Sequence, residues 1–439
     1  MADNHEASVI DVSKDSAAGS EKMRMERLLY WLKEEGANFP SVEIEVSAAG
    51  RVARAAVPIK AGGLVMHIPR SLMITSDEAR ASPIGKLMTS KTPRISDSGY
   101  MAAYLLDLGR EGKPGKLYLD ALPEAFPEHP YLFEEAELDY LNGCYDLPRL
   151  RRLRALIRSE YDMTISALPS DRVLTREKYR WARCAVASRS YGTEMSQQKD
   201  ASMIPLADML DHSPWSNVHW RSEATYGFVC MASRDIEAGE SLTINYGSLG
   251  NARLFIAYGF CLEDNARNLA EIELPDLPPA HPCSELARGF GIVRDGMRVF
   301  QVPAEYDHMN TAILFSYLRL SVLRDPSQVT VPRHGGGIAV VGMISVDNER
   351  AALTRLAEAC RERLLRFPTS MEEDEPLLRD KALPRRLRNA VCLRHGEKLV
   401  LRYFQDLAEI AMPVKKATAW PQKFAIYFER TRPLLRSSK

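Results

Sequence analysis

Apolar positions recur along this chain with two different periods. Residues 22–36 (KMRMERLLYWLKEEG) place apolar side chains at helical spacing and close on a glycine, which predicts a helix. The next stretch, EIEVSAAGRVARAAVPIKAGGLVMHIPRSLMIT (43–75), reads as short strands broken at Gly50, Pro58, Gly62, Gly63 and Pro69. Helical spacing returns from about 99 to 186, in SGYMAAYLLDLGREG, EEAELDYLNG, PRLRRLRALIRSEYDMTISALP and TREKYRWARCAVASRSY. Strand character resumes over 201–247, where VHWRSEATYGFVCMASRDIEAGESLTINYG holds two strand-like runs. Beyond about 268 the pattern is mostly helical, in NTAILFSYLRLSVLR, SVDNERAALTRLAEACRERLLRF and PRRLRNAVCLRHGEKLVLRYF. HGGGIAVVG (334–342) reads as a linker or loop. The β material is therefore split in sequence by a helical insert, and helices close the chain.

Composition narrows the classes. At 439 residues the chain is too long for one core, so two or three domains are expected. Its 58 basic residues balance 58 acidic ones. No global field draws it to nucleic acid or to a membrane surface. No run reaches the roughly 18 apolar residues of a spanning helix. The first residues, MADNHEASVIDVSKDSAAGSEK, are polar and acid-leaning, unlike a signal or transit peptide. They read as a disordered tail (1–22) of a cytosolic or nuclear protein. Seven cysteines at wide, irregular spacing read as reduced, mostly buried thiols rather than a zinc site. The basic run Arg149, Arg151, Arg152, Arg154 and Arg158 reads as a solvated helix face, and seven Lys or Arg beyond Val414 as a basic tail.

Four clusters carry candidate chemistry: SRSY (188–191), IPLADMLDHS (204–213), INYG (244–247) and AYGF (257–260). Asp208, Asp211 and His212 are ligand types for a metal, but no neighbouring cluster completes a shell, so no metal is expected. The chain has no G-x-S-x-G, P-loop or G-x-G-x-x-G motif, which removes the usual acyl-transfer, phosphate-loop and dinucleotide readings. Two tyrosine-glycine pairs, Tyr246-Gly247 and Tyr258-Gly259, stand close together in INYGSLGNARLFIAYGF, on a strand-to-helix transition.

In combination, AxxPIKAGGLVMHIPRSLMIT, the helical insert, SRxY, PLADMxDHS and DIEAGESLTINYGxxxNxxLxxxYGF resemble the SET-domain methyltransferases. The branch they resemble is named after the Rubisco large-subunit lysine methyltransferase. SVDNE (345–349), the TSMEEDEPLL run from Thr369 and LRHGEK (393–398) are similar to that branch's substrate-binding domain. The resemblance implies an α+β fold. A SET core (23–265) of small, mostly antiparallel sheets would carry a helical insertion over about 99–186. An all-helical substrate-binding domain (266–410) and the basic tail (411–439) would follow. It implies a protein methyltransferase that uses S-adenosylmethionine, needs no metal, and acts as a monomer on a protein docked on its C-terminal helices.

Position by position, the resemblance implies cofactor contacts from Gly63, Leu64, Val65, Arg189, Asp208, Asp211, His212, Tyr258, Gly259 and Phe260. Arg189 would offer a cationic fork to the cofactor's carboxylate. Tyr246 matches the catalytic tyrosine, which also touches the cofactor, and Tyr258 a channel-wall tyrosine, with the glycine after each letting the backbone pass close to the cofactor. Tyr191 and Ala207 would line the substrate channel. A related branch, which methylates a histidine of actin, resembles SRQN at the SRxY site and has Trp at the position of Ala207. Tyr191, Ala207 and Tyr258 therefore point to a lysine acceptor, with histidine as the alternative. Three positions depart from the family pattern: Val52, Gly63 and Asp211. They leave open a weakened cofactor site, and with it a non-catalytic peptide-binding module.

Overall fold

The computed structural model describes residues 12–47, 50–91, 94–113, 115–169, 174–193, 200–290, 292, 299–303, 308–329 and 340–412. By its contacts the chain divides into two compact units, one of Met1–Pro127 with Arg152–Ser248, the other of Glu128–Arg151 with Leu249–Lys439. The sequence placed the boundary near 265 and the whole insert in the first domain. In the structure the middle of the insert belongs to the second unit, as do Tyr258, Gly259 and Phe260.

The first unit opens on a helix, Val12–Glu34. It begins well inside the stretch expected to be a disordered tail; residues 1–11 lie outside the described ones. Val42–Ser47 and Gly50–Ala55 form an antiparallel pair. Gly227–Ala232 is the centre of a three-stranded antiparallel sheet, between Leu64–Pro69 and Val218–Glu223. Its Phe228, Val229 and Cys230 are all buried, as a strand covered on both faces requires. Val218–Glu223 alternates buried or half-buried with exposed positions, the period of two of a one-sided strand. A second three-stranded sheet joins Ile74–Thr75, Asp200–Met203 and Ser190–Thr193. Asp211–His212 and Thr243–Ile244 make a short parallel pair.

The helical insertion starts earlier than the periodicity indicated. Ser76–Ala81 and Pro83–Lys91 are helices too short to show a period. The first carries a capping box between Thr75 and Glu78, a T-x-x-E signal readable in the sequence. Asp97–Leu108, Lys116–Ala121, Leu147–Ala167 and Arg176–Arg189 follow. Arg151, Arg152 and Arg158 of the basic run are exposed, and Arg149 and Arg154 half-buried.

The second unit is mainly helical, with His308–Ser321, Val346–Leu364, Met371–Arg379 and the long Arg385–Ala411 helix. It is not all-helical: Leu269–Glu273 and Val299–Pro303 pair antiparallel. Its motifs SVDNE, TSMEEDEPLL and LRHGEK turn inward. Glu349 pairs with Arg319, Asp374 with Arg394 and Lys398, and Glu397 with Arg363, all within the core. The basic tail falls on residues 413–439, and most of HGGGIAVVG on 334–339, outside the described residues. All seven cysteines are free, and all but half-buried Cys261 are buried. Among the described residues no helix is long and apolar enough to cross a membrane, and no cluster of His, Cys, Asp and Glu side chains could hold a metal ion.

Candidate cofactor and substrate site

Arg189 is the last residue of the Arg176–Arg189 helix, where the chain turns into strand Ser190–Thr193. The apolar run from Ile204 sinks a single turn, Ala207–Met209, into the first unit. The chain enters that turn through Leu206 at φ +72°, the one positive-φ residue other than glycine among the described residues. Such a conformation costs about 1–3 kcal/mol and persists only where the surroundings enforce it. Leu206 and Ala207 are fully buried, which supplies the enforcement.

That turn presents Asp208 to Arg189. Arg189 Nη1 donates to the Asp208 carbonyl (2.9 Å) and to its Oδ2 (3.1 Å). Tyr118 of the insertion donates its hydroxyl to the same Oδ2 at 2.9 Å. The Asp208 carboxylate is fully buried. Burial opposes the Arg189 charge, but Asp208 outweighs it and raises the guanidinium pKa. Burial and the Asp208 charge together push the Tyr118 phenol well above its ordinary value. Three buried polar atoms in this neighbourhood have no hydrogen-bond partner: Arg189 Nε, Asp208 Oδ1 and Ser190 Oγ. Unpaired buried groups are costly, so a cluster of them marks a place for a ligand.

The parallel strand pair sets His212 beside Tyr246. Tyr246 N donates to His212 Nδ1 (3.2 Å), and the two rings lie 5.1 Å apart. An accepting Nδ1 places the proton of the neutral ring on Nε2. Burial lowers the His212 pKa, which favours that neutral ring. Tyr246 donates its hydroxyl to the Leu210 carbonyl at 2.8 Å. Asp211 joins the ladder opposite Thr243 while its side chain is exposed.

Tyr191 donates its hydroxyl to the Ala207 carbonyl at 2.7 Å. Its ring meets Trp220 edge-on (5.4 Å, 85°) and Phe228 at 4.8 Å and 64°. Trp220 and Phe228 stack at 5.2 Å. The sequence reading overlooked Trp220 and Phe228, although alternation in VHW puts Trp220 on the inward face. It also overlooked Tyr118, which no local pattern connects to Asp208.

In strand Leu64–Pro69 the pairing with Gly227–Ala232 slips between Leu64 and Met66, so buried Val65 is the extra residue of a bulge. Bulges of this kind free backbone groups from the ladder. Gly63 differs: its N–H donates to Lys60 O and its carbonyl accepts from Ala232 N. Its backbone groups serve the strand edge.

In the second unit, Tyr258 ends the Asn251–Tyr258 helix, with a half-buried ring whose pKa burial raises, 6.1 Å from Phe260. Gly259 caps that helix at φ +79°, and a Cβ there would lie 2.8 Å from the Glu128 carbonyl. Gly247 sits at φ +118°. The glycine after each tyrosine is required by left-handed backbone and, at Gly259, also by packing on Glu128.

Comparisons with known proteins find two families along the chain. A match to the SET domain spans residues 50–247, and one to the Rubisco LSMT substrate-binding domain spans 290–401. Actin-histidine N-methyltransferase of Homo sapiens is 27% identical over 403 residues, covering 85% of this chain and 66% of the relative. The chain thus spans just under two thirds of that relative's length. The Mus musculus protein is 26% identical over 438 residues, covering 93% and 71%. Among solved structures, Rubisco LSMT bound to AdoMet superposes with a TM-score of 0.68 at 22% identity, over 89% of this chain and 92% of that one. The SET domain of LSMT bound to lysine and AdoHcy gives the same TM-score at 21% identity and the same coverage. These likenesses show a shared fold.

Proposed function

From a chain that carries a SET domain and a Rubisco LSMT substrate-binding domain, we infer a protein methyltransferase that takes its methyl group from S-adenosylmethionine and places it on a lysine side-chain amine. The observation that carries this reading is the placement of two phenols. Tyr191 and Tyr246 donate to the Ala207 and Leu210 carbonyls, three residues apart in one segment. Two aromatic hydroxyls fixed on one stretch of backbone are the makings of a narrow channel.

The residues present fit the cofactor. Arg189 Nη1 is held by Asp208, while buried Nε lacks a partner, so a guanidinium edge is presented for a carboxylate. The bulge at Val65 supplies backbone groups outside the ladder. His212, its pKa lowered by burial and its ring fixed by Tyr246 N, offers an apolar ring face. When bound, S-adenosylmethionine supplies an electrophilic methyl on a sulfonium. Tyr246 keeps its own proton on Leu210 O while its oxygen accepts a hydrogen from the incoming amine, which aims the nitrogen lone pair. Tyr191, Trp220 and Phe228 offer an aromatic wall to the lysine stem. That wall also tolerates the methylated ammonium product through cation–π attraction. The second unit docks the protein substrate.

A histidine acceptor is the second reading, favoured by the named activity of the relatives. Incubation with a deuterated-methyl cofactor and a lysate of the source cells, followed by peptide mapping, separates the two. Label on lysine supports the proposal; label on histidine replaces it. Tyr246→Phe lowers kcat by about a hundredfold or more, by analogy with removal of one positioned group at a reacting centre. Its cofactor affinity changes by less than about threefold, because the ring and its backbone contact with His212 remain. Full activity in that variant removes Tyr246 from the chemistry.

A further inference from the structure

The helical insertion interrupts the β core in sequence, yet one of its side chains reaches the Arg189–Asp208 pair. Tyr118 lies on the short Lys116–Ala121 helix and is 1% exposed. That helix is pinned at its far end: Arg51, paired with Glu21, donates to the Ala121 carbonyl, and Trp181 Nε1 donates to Pro123 O at 3.0 Å. The Tyr118 hydroxyl therefore has little freedom. It meets Asp208 Oδ2 at 2.9 Å, the same oxygen that takes Arg189 Nη1 at 3.1 Å.

We propose that Tyr118 is a positioning residue for cofactor binding, acting through Asp208 to fix the guanidinium of Arg189. The inference rests on the methyltransferase reading above. A buried carboxylate with one donor can rotate about its χ2; with Tyr118 and Arg189 converging on Oδ2 it cannot without losing both. Asp208 in turn holds Arg189 by one nitrogen, on both its carboxylate and its carbonyl. This leaves Nε, which has no protein partner, at a set place and orientation. Pre-set donors bind more tightly than donors that must be ordered on binding. A tyrosine that served only its own burial could use any acceptor. Its loss would then lower stability without touching ligand affinity.

The test is calorimetric titration of the full chain with S-adenosylhomocysteine. Tyr118→Phe keeps the ring and removes the hydroxyl, and raises Kd by about tenfold, the scale of one hydrogen bond to a charged group. Arg189→Lys also raises Kd. In the double variant, Tyr118→Phe adds less than about twofold to Arg189→Lys, because the two act on one contact. In turnover, KM for the cofactor rises while KM for the protein substrate stays. An unchanged Kd in Tyr118→Phe, or a full additional loss on the Arg189→Lys background, overturns the proposal. Wild-type chain that binds no S-adenosylhomocysteine overturns the methyltransferase reading itself, and this one with it. Should thermal melting show Tyr118→Phe unfolded, Asp208→Asn, of equal volume, must give the same rise in Kd and the same non-additivity with Arg189→Lys.

Discussion

Arg319 of the second unit uses every edge of its guanidinium. Nε and Nη2 grip both oxygens of Glu349 at 2.7 and 2.8 Å, and Nη1 donates to Val341 O at 2.7 Å. Asp374 of the same unit is equally occupied, accepting from Arg394, Lys398 and Thr369. In the first unit Asp208 is buried and Arg189 half-buried, but Nε and Oδ1 are left without partners. The same residue types therefore do two jobs. A pair that satisfies all its donors and acceptors holds the fold, because desolvated charges are tolerable only when fully paired. An open edge alone is not the mark, since core Arg183, paired with Glu160, also leaves Nε unpaired; Arg189 differs in that its own partner leaves Oδ1 open too, next to a strained Leu206.

Breaking each pair should have opposite consequences. Asp374→Ala leaves Arg394 and Lys398 buried without a counter-charge, and should cost about 3–5 kcal/mol of stability, read from urea unfolding by circular dichroism. Asp208→Asn should cost less than about 1.5 kcal/mol of stability while weakening S-adenosylhomocysteine binding about tenfold or more. Equal stability losses in the two variants would erase the distinction.

A smaller effect comes from pH. Burial pushes the Glu397 carboxyl up to about 8, against the pull of Arg363, from an ordinary 4.5. Burial likewise pushes Glu271 to about 7. A raised carboxyl pKa means that the folded chain holds a proton the unfolded chain has lost. The stability it contributes is complete below pH 4.5 and disappears as pH rises through 8. Each such group gives a slope of about 1.4 kcal/mol per pH unit. Glu397→Gln should flatten the curve between pH 7 and 8, where Glu271 has already ionised. A wild-type curve flat from pH 4.5 to 8 would show that Arg363 keeps Glu397 charged.

The period of the apolar positions was enough to separate strands from helices and to place the split β core around a helical insert. SRSY, PLADMLDHS and INYG were legible as clusters because their chemistry is local in sequence. What was hidden depends on distance along the chain. Tyr118 meets a carboxylate 90 residues away, and nothing in KLYLDA announces it. The strand Leu269–Glu273 pairs with Val299–Pro303, beyond the reach of a local window. SVDNE, TSMEEDEPLL and LRHGEK carried a resemblance to a substrate-binding domain, yet Glu349, Asp374 and Glu397 are core ion-pair partners, so those motifs record how the unit folds. The tyrosine-glycine pairs have a reason no sequence pattern states: Gly247 and Gly259 both sit in left-handed backbone.

The smallest effect concerns Asp211, one of the three positions that depart from the pattern the sequence resembles. If its charge mattered, the pocket would be weakened and the comparison between the two arginine pairs would lose its functional side. The structure gives Asp211 a backbone role: it pairs with Thr243 in the ladder that carries His212 to Tyr246, and its side chain is exposed. An exposed charge acts through solvent and is screened over roughly 8–10 Å at physiological salt. Asp211→Asn should therefore shift stability by less than about 0.5 kcal/mol and S-adenosylhomocysteine affinity by less than about threefold. Calorimetry at low and high salt decides it. A gain of tenfold or more that fades at high salt would mean that the Asp211 charge opposes the ligand. The open edge of Arg189 would then be one of two determinants of affinity rather than the main one.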